Sequence, residues 1–176
     1  MKKLLVAILL ITICLTGKAQ KEINWMSWEQ AVEASKEEKR KFVVDVYTEW
    51  CGWCKKMDAT TFKDPQIVKY VNENYYAIKF DAEQKEDIAL NGKVYKFNKT
   101  GKRGYHQLAA EITRGRLSYP TVVFLDEELG LIQSIPGYRD VMSFTMIMKY
   151  FAEDFHTSVP WKNYSRNYQV LTGGGH

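Results

Sequence analysis

Cysteine and histidine are scarce in this chain, with three of each among 176 residues. A structural zinc site needs four ligands as a rule. Cys51 and Cys54 are close together, Cys14 lies far upstream, and His106, His156 and His176 show no paired spacing. The cysteine pair is therefore not expected to be half of a zinc site. A haem attachment would need histidine directly after Cys54, where Lys55 stands. An excess of charge of one sign is also missing. The 25 Lys and Arg against 21 Asp and Glu leave a formal +4, which gives no sequence-level claim on nucleic acid. The apolar run Leu4–Leu15 is too short to span a bilayer as a stable helix. No internal repeat or low-complexity tract stands out.

What the N-terminus does contain is ordered in a telling way. Met1-Lys2-Lys3 is positive, Leu4–Leu15 is apolar, and Gly17-Lys18-Ala19 puts small residues where a signal peptidase reads. That is the layout of a secretory signal cleaved after Ala19. A buried N-terminal helix is the alternative, but the run has no polar face. A lipoprotein signal would want a small residue before Cys14, and Ile13 is there, so a lipid anchor is not expected. Loss of Lys2, Lys3 and Lys18 would bring the charge from +4 to +1. Only Cys51 and Cys54 would then meet an oxidising compartment, the periplasm if the source is a Gram-negative bacterium. A disulfide between them closes a very small loop. That constrains the unfolded chain little, so a purely structural bridge is unconvincing.

Periodicity and punctuation give the elements. Ser27-Trp28-Glu29-Gln30 reads as a capping box opening a helix to about Lys39, with Trp28, Ala31 and Val32 inward. Lys41–Tyr47 is a short run, apolar on both faces, which suits a central strand. Asp45 is the anomaly inside it. A helix is expected from near Cys51 to about Thr60. Another starts at Asp64-Pro65, with Ile67, Val68 and Val71 on its apolar side. Tyr75–Asp81 reads as a strand. Asn91-Gly92 signals a small inserted hairpin within 82–103. Tyr105 to about Thr113 reads as helix, Thr121–Leu125 and Leu131–Ile135 as strands, and about Val141–Phe155 as the last helix. From Lys41 the order is β, α, α, β, insertion, α, β, β, α. The front argues a parallel pair and the back an antiparallel one.

The segment Trp50-Cys51-Gly52-Trp53-Cys54 carries the chemistry. Two cysteines three residues apart on a helical turn can bring their sulfurs within bonding distance. At a helix N-terminus, Cys51 would have its thiolate stabilised by free N–H groups and the helix dipole. A thiolate is the attacking species in disulfide exchange. Cys54, one turn in, would resolve the mixed disulfide.

Val44-Asp45-Val46-Tyr47-Thr48-Glu49-Trp50-Cys51-Gly52-Trp53-Cys54-Lys55 resembles the strand-to-active-site segment of the thioredoxin superfamily, and the likeness extends over about Trp25 to Phe155. The continuation Lys55-Lys56-Met57-Asp58 and the leader look most like bacterial periplasmic thioredoxin-like disulfide-interchange proteins. The resemblance implies a three-layer α/β/α fold with a mixed central sheet. It implies that Asp45, six residues before Cys51, is a buried acid assisting proton transfer at Cys54. A carboxyl in a central strand would have a raised pKa, which suits a base near neutral pH. It places Lys79 near Asp45. It makes Tyr119-Pro120-Thr121 the cis-proline loop that faces the dithiol and pairs with substrate backbone. Trp50 and Trp53 either cap the core or, one of them flanking the dithiol, form an apolar contact surface for protein substrates, and Gly52, Tyr119 and Pro120 are the other candidate substrate contacts. Three departures stand against it: Gly-Trp between the cysteines, a longer segment from Asp81 to Tyr119, and an aromatic tail after Phe155.

The expected organisation is a signal peptide over 1–19, a thioredoxin-like domain over 20–156 with its insertion at about 82–103, and a tail over 157–176. The expected activity is thiol–disulfide exchange in exported proteins, with no cofactor or metal. Partners would be clients with thiols or disulfides and a membrane or soluble redox partner, with no nucleic acid and no membrane embedding after cleavage. The competing reading is a binding or chaperone-like module that uses the insertion and tail, with the dithiol incidental. Glu49 is read as a solvated loop acid. Trp161, Tyr164 and Tyr168 are read as core cover, and Lys99, Lys102, Arg103, Arg114 and Arg116 as a solvated face.

Overall fold

The computed structural model describes residues 21–172. The expected signal over 1–19, Cys14 and the glycines of the tail lie outside the described residues. Among those residues no helix is long and apolar enough to cross a membrane.

Five strands form the main sheet. They are β1 (Trp25–Met26), β2 (Lys41–Tyr47), β3 (Tyr75–Asp81), β8 (Thr121–Leu125) and β9 (Leu131–Pro136), in the order β1-β3-β2-β8-β9. β2 runs parallel to β3 and antiparallel to β8, and β8 and β9 are antiparallel. The sheet is thus mixed, as the thioredoxin-like fold requires. β2 is central because residues 41–46 are buried, and a run apolar on both faces finds cover only between two layers. Alternation along the strand assigns its side chains to two cores. Phe42, Val44 and Val46 join one core with α1 (Trp28–Glu37) and α4 (Gln107–Ile112). Val43 joins the other, with α2 (Gly52–Ala59), α3 (Pro65–Asn74) and α5 (Val141–Ala152).

The helix starts follow their capping residues. Ser27 and Gln30 form the reciprocal box at α1. Asp64 accepts from Gln66 N and Ile67 N ahead of Pro65 at α3. The two-residue strand β1 has no sequence signal long enough to reveal it.

The insertion differs from its expected form. It holds two hairpins, β4–β5 (Ile88–Leu90 with Lys93–Tyr95) and β6–β7 (Phe97–Thr100 with Arg103–His106). Asn91 (φ 50°) and Gly92 (φ 75°) make the first turn, which is the left-handed pair that Asn-Gly favours. The second hairpin is polar and lacks β-branched alternation, so its sequence hides it. It also takes Tyr105 and His106 into β7, which delays the next helix to Gln107. At its close approach, a Cβ on Gly104 would lie 2.3 Å from Phe97 Cζ and 2.5 Å from Asn98 O.

The last core helix ends at Ala152, and a 3-10 turn (Phe155–Thr157) leads to α6 (Trp161–Thr172). The tail is therefore helical where only aromatic cover was expected. Tyr164 packs on Tyr150, Phe155 and Tyr168, and Trp161 packs on Tyr150.

Candidate functional site

β2 leads straight into the cysteine loop. After Tyr47 the chain turns, Cys51 N–H donates to Thr48 O at 3.0 Å, and Cys51 becomes the N-cap of α2. Its Sγ accepts from Cys54 N–H at 3.1 Å and is bonded to Cys54 Sγ. The sulfur thus stands where a capping oxygen usually does, at the positive end of the helix dipole. In a reduced protein the same N–H groups favour a thiolate. Both cysteines are recessed, at 5% exposure for Cys51 and 2% for Cys54.

Within β2, Asp45 is fully buried and its pKa is pushed up to about 6. Burial is the larger cause, opposed by the Lys79 ammonium and reinforced by the Asp58 carboxylate. Lys79 Nζ donates to Asp45 Oδ2 at 2.5 Å. Asp45 Oδ1 is buried with no hydrogen-bond partner among the described residues. One oxygen of the carboxyl is therefore free to hold a proton. Lys79 also bonds Asp58, on α2. Burial alone would lower the Lys79 pKa, but the two carboxylates more than offset it and hold it raised.

The Tyr119–Pro120 peptide bond is cis. Thr121 pairs with Val46, which sets Pro120 at the sheet end where β2 exits to the dithiol. Pro120 is buried, and its carbonyl accepts from Gly137 N at 2.7 Å. Gly52 is exposed, and a Cβ there would meet nothing.

An exposed indole directly precedes each cysteine in sequence, Trp50 at 52% and Trp53 at 57%. Trp50 meets Tyr119 edge-on, with ring centroids 6.0 Å apart, and Arg103 of β7 stacks over it at 4.5 Å. Trp53 packs on Tyr138 at 5.5 Å, with Lys56 over both rings. Burial, aided by Glu83 and Asp81, pushes the Tyr119 pKa up to about 12. Beside Trp50, the exposed Glu49 lines an open groove with Asp81, Glu83 and Glu86.

The structure thus brings Asp45 to Lys79, Cys51 to Cys54, and Trp50 to Tyr119. Sequence reasoning missed Asp58, Lys56, Tyr138 and Arg103. Asp58 could have been found, because it lies four residues after Cys54 on one helix face. Arg103 and Tyr138 reach the site only through tertiary folding. Arg103 is not merely part of a solvated face, since its guanidinium lies on Trp50. Among the described residues no group of three or more His, Cys, Asp or Glu side chains is placed to hold a metal ion.

The model of the Thioredox_DsbH family, described as a protein of unknown function, DUF255, matches residues 12–158. The chain belongs to this family. Its fold is similar to the solved DsbH Oxidoreductase, with a TM-score of 0.55 and 17% identity, over 77% of this chain and 88% of that one. It is likewise similar to a thioredoxin from Thermus thermophilus, with a TM-score of 0.54 and 18% identity, over 74% and 87% of the two chains. Identities this low carry the fold alone. Among curated proteins, the mouse Spermatogenesis-associated protein 20 is 25% identical over 70% of this chain and 15% of its own length. The Caenorhabditis elegans protein B0495.5 is 30% identical over 40% of this chain and 10% of its own length. The chain therefore corresponds to a small part of those relatives. Thioredoxin-superfamily membership, the mixed-sheet fold and the bonded CxxC pair support thiol–disulfide redox chemistry in general terms.

Proposed function

We propose that this family member is a thiol–disulfide oxidoreductase that exchanges disulfides in exported proteins through Cys51 and Cys54. The observation that carries the proposal is the capped, recessed disulfide at the start of α2, the helix that Lys79 ties through Asp58 to the buried Asp45 carboxyl. Cys51 Sγ sits on the α2 N-terminus, and Asp45 is held near neutral pH at about 6 with one oxygen unpartnered. A general base is most useful when its pKa is near the working pH.

In the reducing direction, Cys51 thiolate attacks one sulfur of a client disulfide. A Cys51–client S–S bond forms, the client S–S bond breaks, and the leaving client thiolate takes a proton from solvent. Asp45 carboxylate then accepts the proton of Cys54. The resulting thiolate attacks Cys51 Sγ, closing the Cys51–Cys54 disulfide and breaking the Cys51–client bond; the client sulfur leaves as a thiolate and takes a proton from solvent, to which Asp45 returns its own. Two electrons pass from protein to client, and a dithiol redox partner restores them. Run backwards, the same steps oxidise a client dithiol.

Trp50, Trp53, Tyr119 and the Pro120 turn form the client contact surface in this reading. Gly52 leaves the helix start unobstructed, and Lys79 steadies Asp45 without touching the client. The leader-like N-terminus supports export, and a periplasmic setting follows if the source is a Gram-negative bacterium. The test is a Cys54→Ser protein exposed to disulfide-bearing exported proteins. It should accumulate mixed disulfides through Cys51, and a Cys51→Ser protein should not. A Cys54→Ser protein that traps nothing overturns the proposal.

A further inference from the structure

A second concave site lies between the edge strand β9, helix α5 and the start of α6, sharing no lining residue with the dithiol surface. It is a cavity of about 560 Å³, within the range of small-molecule sites. Ile135, Ile147, Phe151 and Trp161 supply apolar walls, and no acidic side chain lines it. Two polar groups are only partly used. Arg139 donates to the carbonyls of Tyr138 at 2.9 Å and Pro136 at 3.0 Å, and no carboxylate pairs with it among the described residues. The neighbouring Asp140 is occupied as the N-cap of α5, accepting from Ser143 N at 2.8 Å. His156 Nδ1 is buried and has no hydrogen-bond partner among the described residues.

From this combination we infer that the cavity binds an elongated monocarboxylate with an apolar tail. Charge complementarity selects the head group. A half-buried guanidinium without a counter-ion is matched by a carboxylate, which takes two parallel N–H bonds from it. The apolar walls exclude small hydrophilic anions, which would lose hydration there without adequate return. The lining sets the elongated shape. Arg139 enters the cavity from the chain before α5, while Ile147 and Phe151 of α5 and Trp161 of α6 continue the wall as apolar side chains. The carboxylate sits at Arg139, and the tail runs along Ile147 and Phe151 toward Trp161. The C-terminal helix, which lies beyond the thioredoxin-like core, completes this wall and gives it a role besides cover.

The probe is dodecanoate below its micelle-forming concentration, titrated calorimetrically into the full chain, with dodecan-1-ol as the uncharged match. Dodecanoate should bind saturably at one site, and dodecan-1-ol about tenfold more weakly or worse, the usual worth of a charged hydrogen bond. Arg139→Gln should erase that difference, and Arg139→Lys should restore part of it. Ile135→Trp, at a half-exposed position, should block both probes by filling the cavity. Each variant is checked for wild-type circular dichroism and for reversible closure of the Cys51–Cys54 disulfide. Equal binding of the two probes, binding unchanged in Arg139→Gln, or no saturable binding overturns the inference. So does a wild-type dimer in sedimentation that Ile135→Trp dissociates, since the groove would then be an interface between copies.

Discussion

Lys79 Nζ lies 2.5 Å from Asp45 Oδ2 and also bonds Asp58, so a single ammonium joins the central strands to the dithiol helix. Register makes this possible, because Asp45 and Lys79 are directly paired across β2 and β3. Asp58 comes in from α2 above them. The ammonium offsets part of the cost of burying Asp45, and the second carboxylate returns some of it.

Asp45→Asn should stabilise the oxidised protein at alkaline pH. The folded-state pKa of about 6 lies above the usual carboxylate value, so ionisation costs the folded state. Asp45 leaves stability intact below about pH 4 and subtracts from it as pH rises through about 6. Replacing it should return about 1–3 kcal/mol near pH 8 and nothing near pH 4. Urea titrations at the two pH values measure this. The same variant should slow resolution of mixed disulfides by about a hundredfold at neutral pH, the lower reach of general-base catalysis.

Asp58→Asn should shift the pH profile of that step downward. Its negative charge raises the Asp45 pKa, and without it Lys79 answers to Asp45 alone. The inflection near pH 6 should move to lower pH while the Asp45→Asn profile stays flat. An unmoved inflection would show that Asp58 only anchors Lys79.

These acids show what the sequence made legible and what it did not. Asp45 stood out because an acid inside Lys41–Tyr47 breaks an apolar run, and the pair Cys51 and Cys54 announced itself by spacing. The central strands, the Asp64-Pro65 helix start and the Asn91-Gly92 turn rest on local rules, and the chain obeys them. The second hairpin does not announce itself. Its stability comes from cross-strand contacts such as Asn98 Nδ2 donating to Tyr105 OH at 2.8 Å, which exist only once the register is set. The Arg103–Trp50 stack and the Tyr138–Trp53 contact are invisible for the same reason.

Gly104→Ala should loosen the second hairpin. The added methyl collides with the Phe97 ring and with the Asn98 carbonyl, which is backbone and cannot turn aside. A loss of about 1–3 kcal/mol is the usual cost of forced overpacking. Thermal unfolding reads the global effect, and tryptophan fluorescence reads the release of Arg103 from Trp50.

Arg103→Ala should weaken exchange with protein disulfides about two- to fivefold, the worth of an exposed cation–π contact of about 0.5–1 kcal/mol. Exchange with a small disulfide such as oxidised dithiothreitol should be unchanged. An equal loss with both substrates would mean that Arg103 acts on the dithiol itself.

His106 should make the insertion acid-sensitive. Its Nδ1 accepts from Leu108 N at 3.3 Å, so the proton sits on Nε2, which donates to Glu86 O at 3.2 Å. Burial lowers its pKa. A lowered histidine pKa stabilises the fold above about pH 6.5, and that stability drains away as pH falls below it. Hydrogen exchange at the Leu108 amide, corrected for intrinsic rate, should therefore lose protection as pH falls below about 6.5.

The shallow burial of the disulfide has a further consequence. Cys51 is 5% exposed while Trp50 and Trp53 beside it in sequence are each more than half exposed. In the proposed exchange an attacking sulfur would have to reach a nearly buried Cys51, which favours a disulfide carried on a protruding or unfolded stretch of chain over one flush with a rigid domain. Accessibility would then act as a sieve on the shape of the incoming molecule, ahead of any preference of potential or charge.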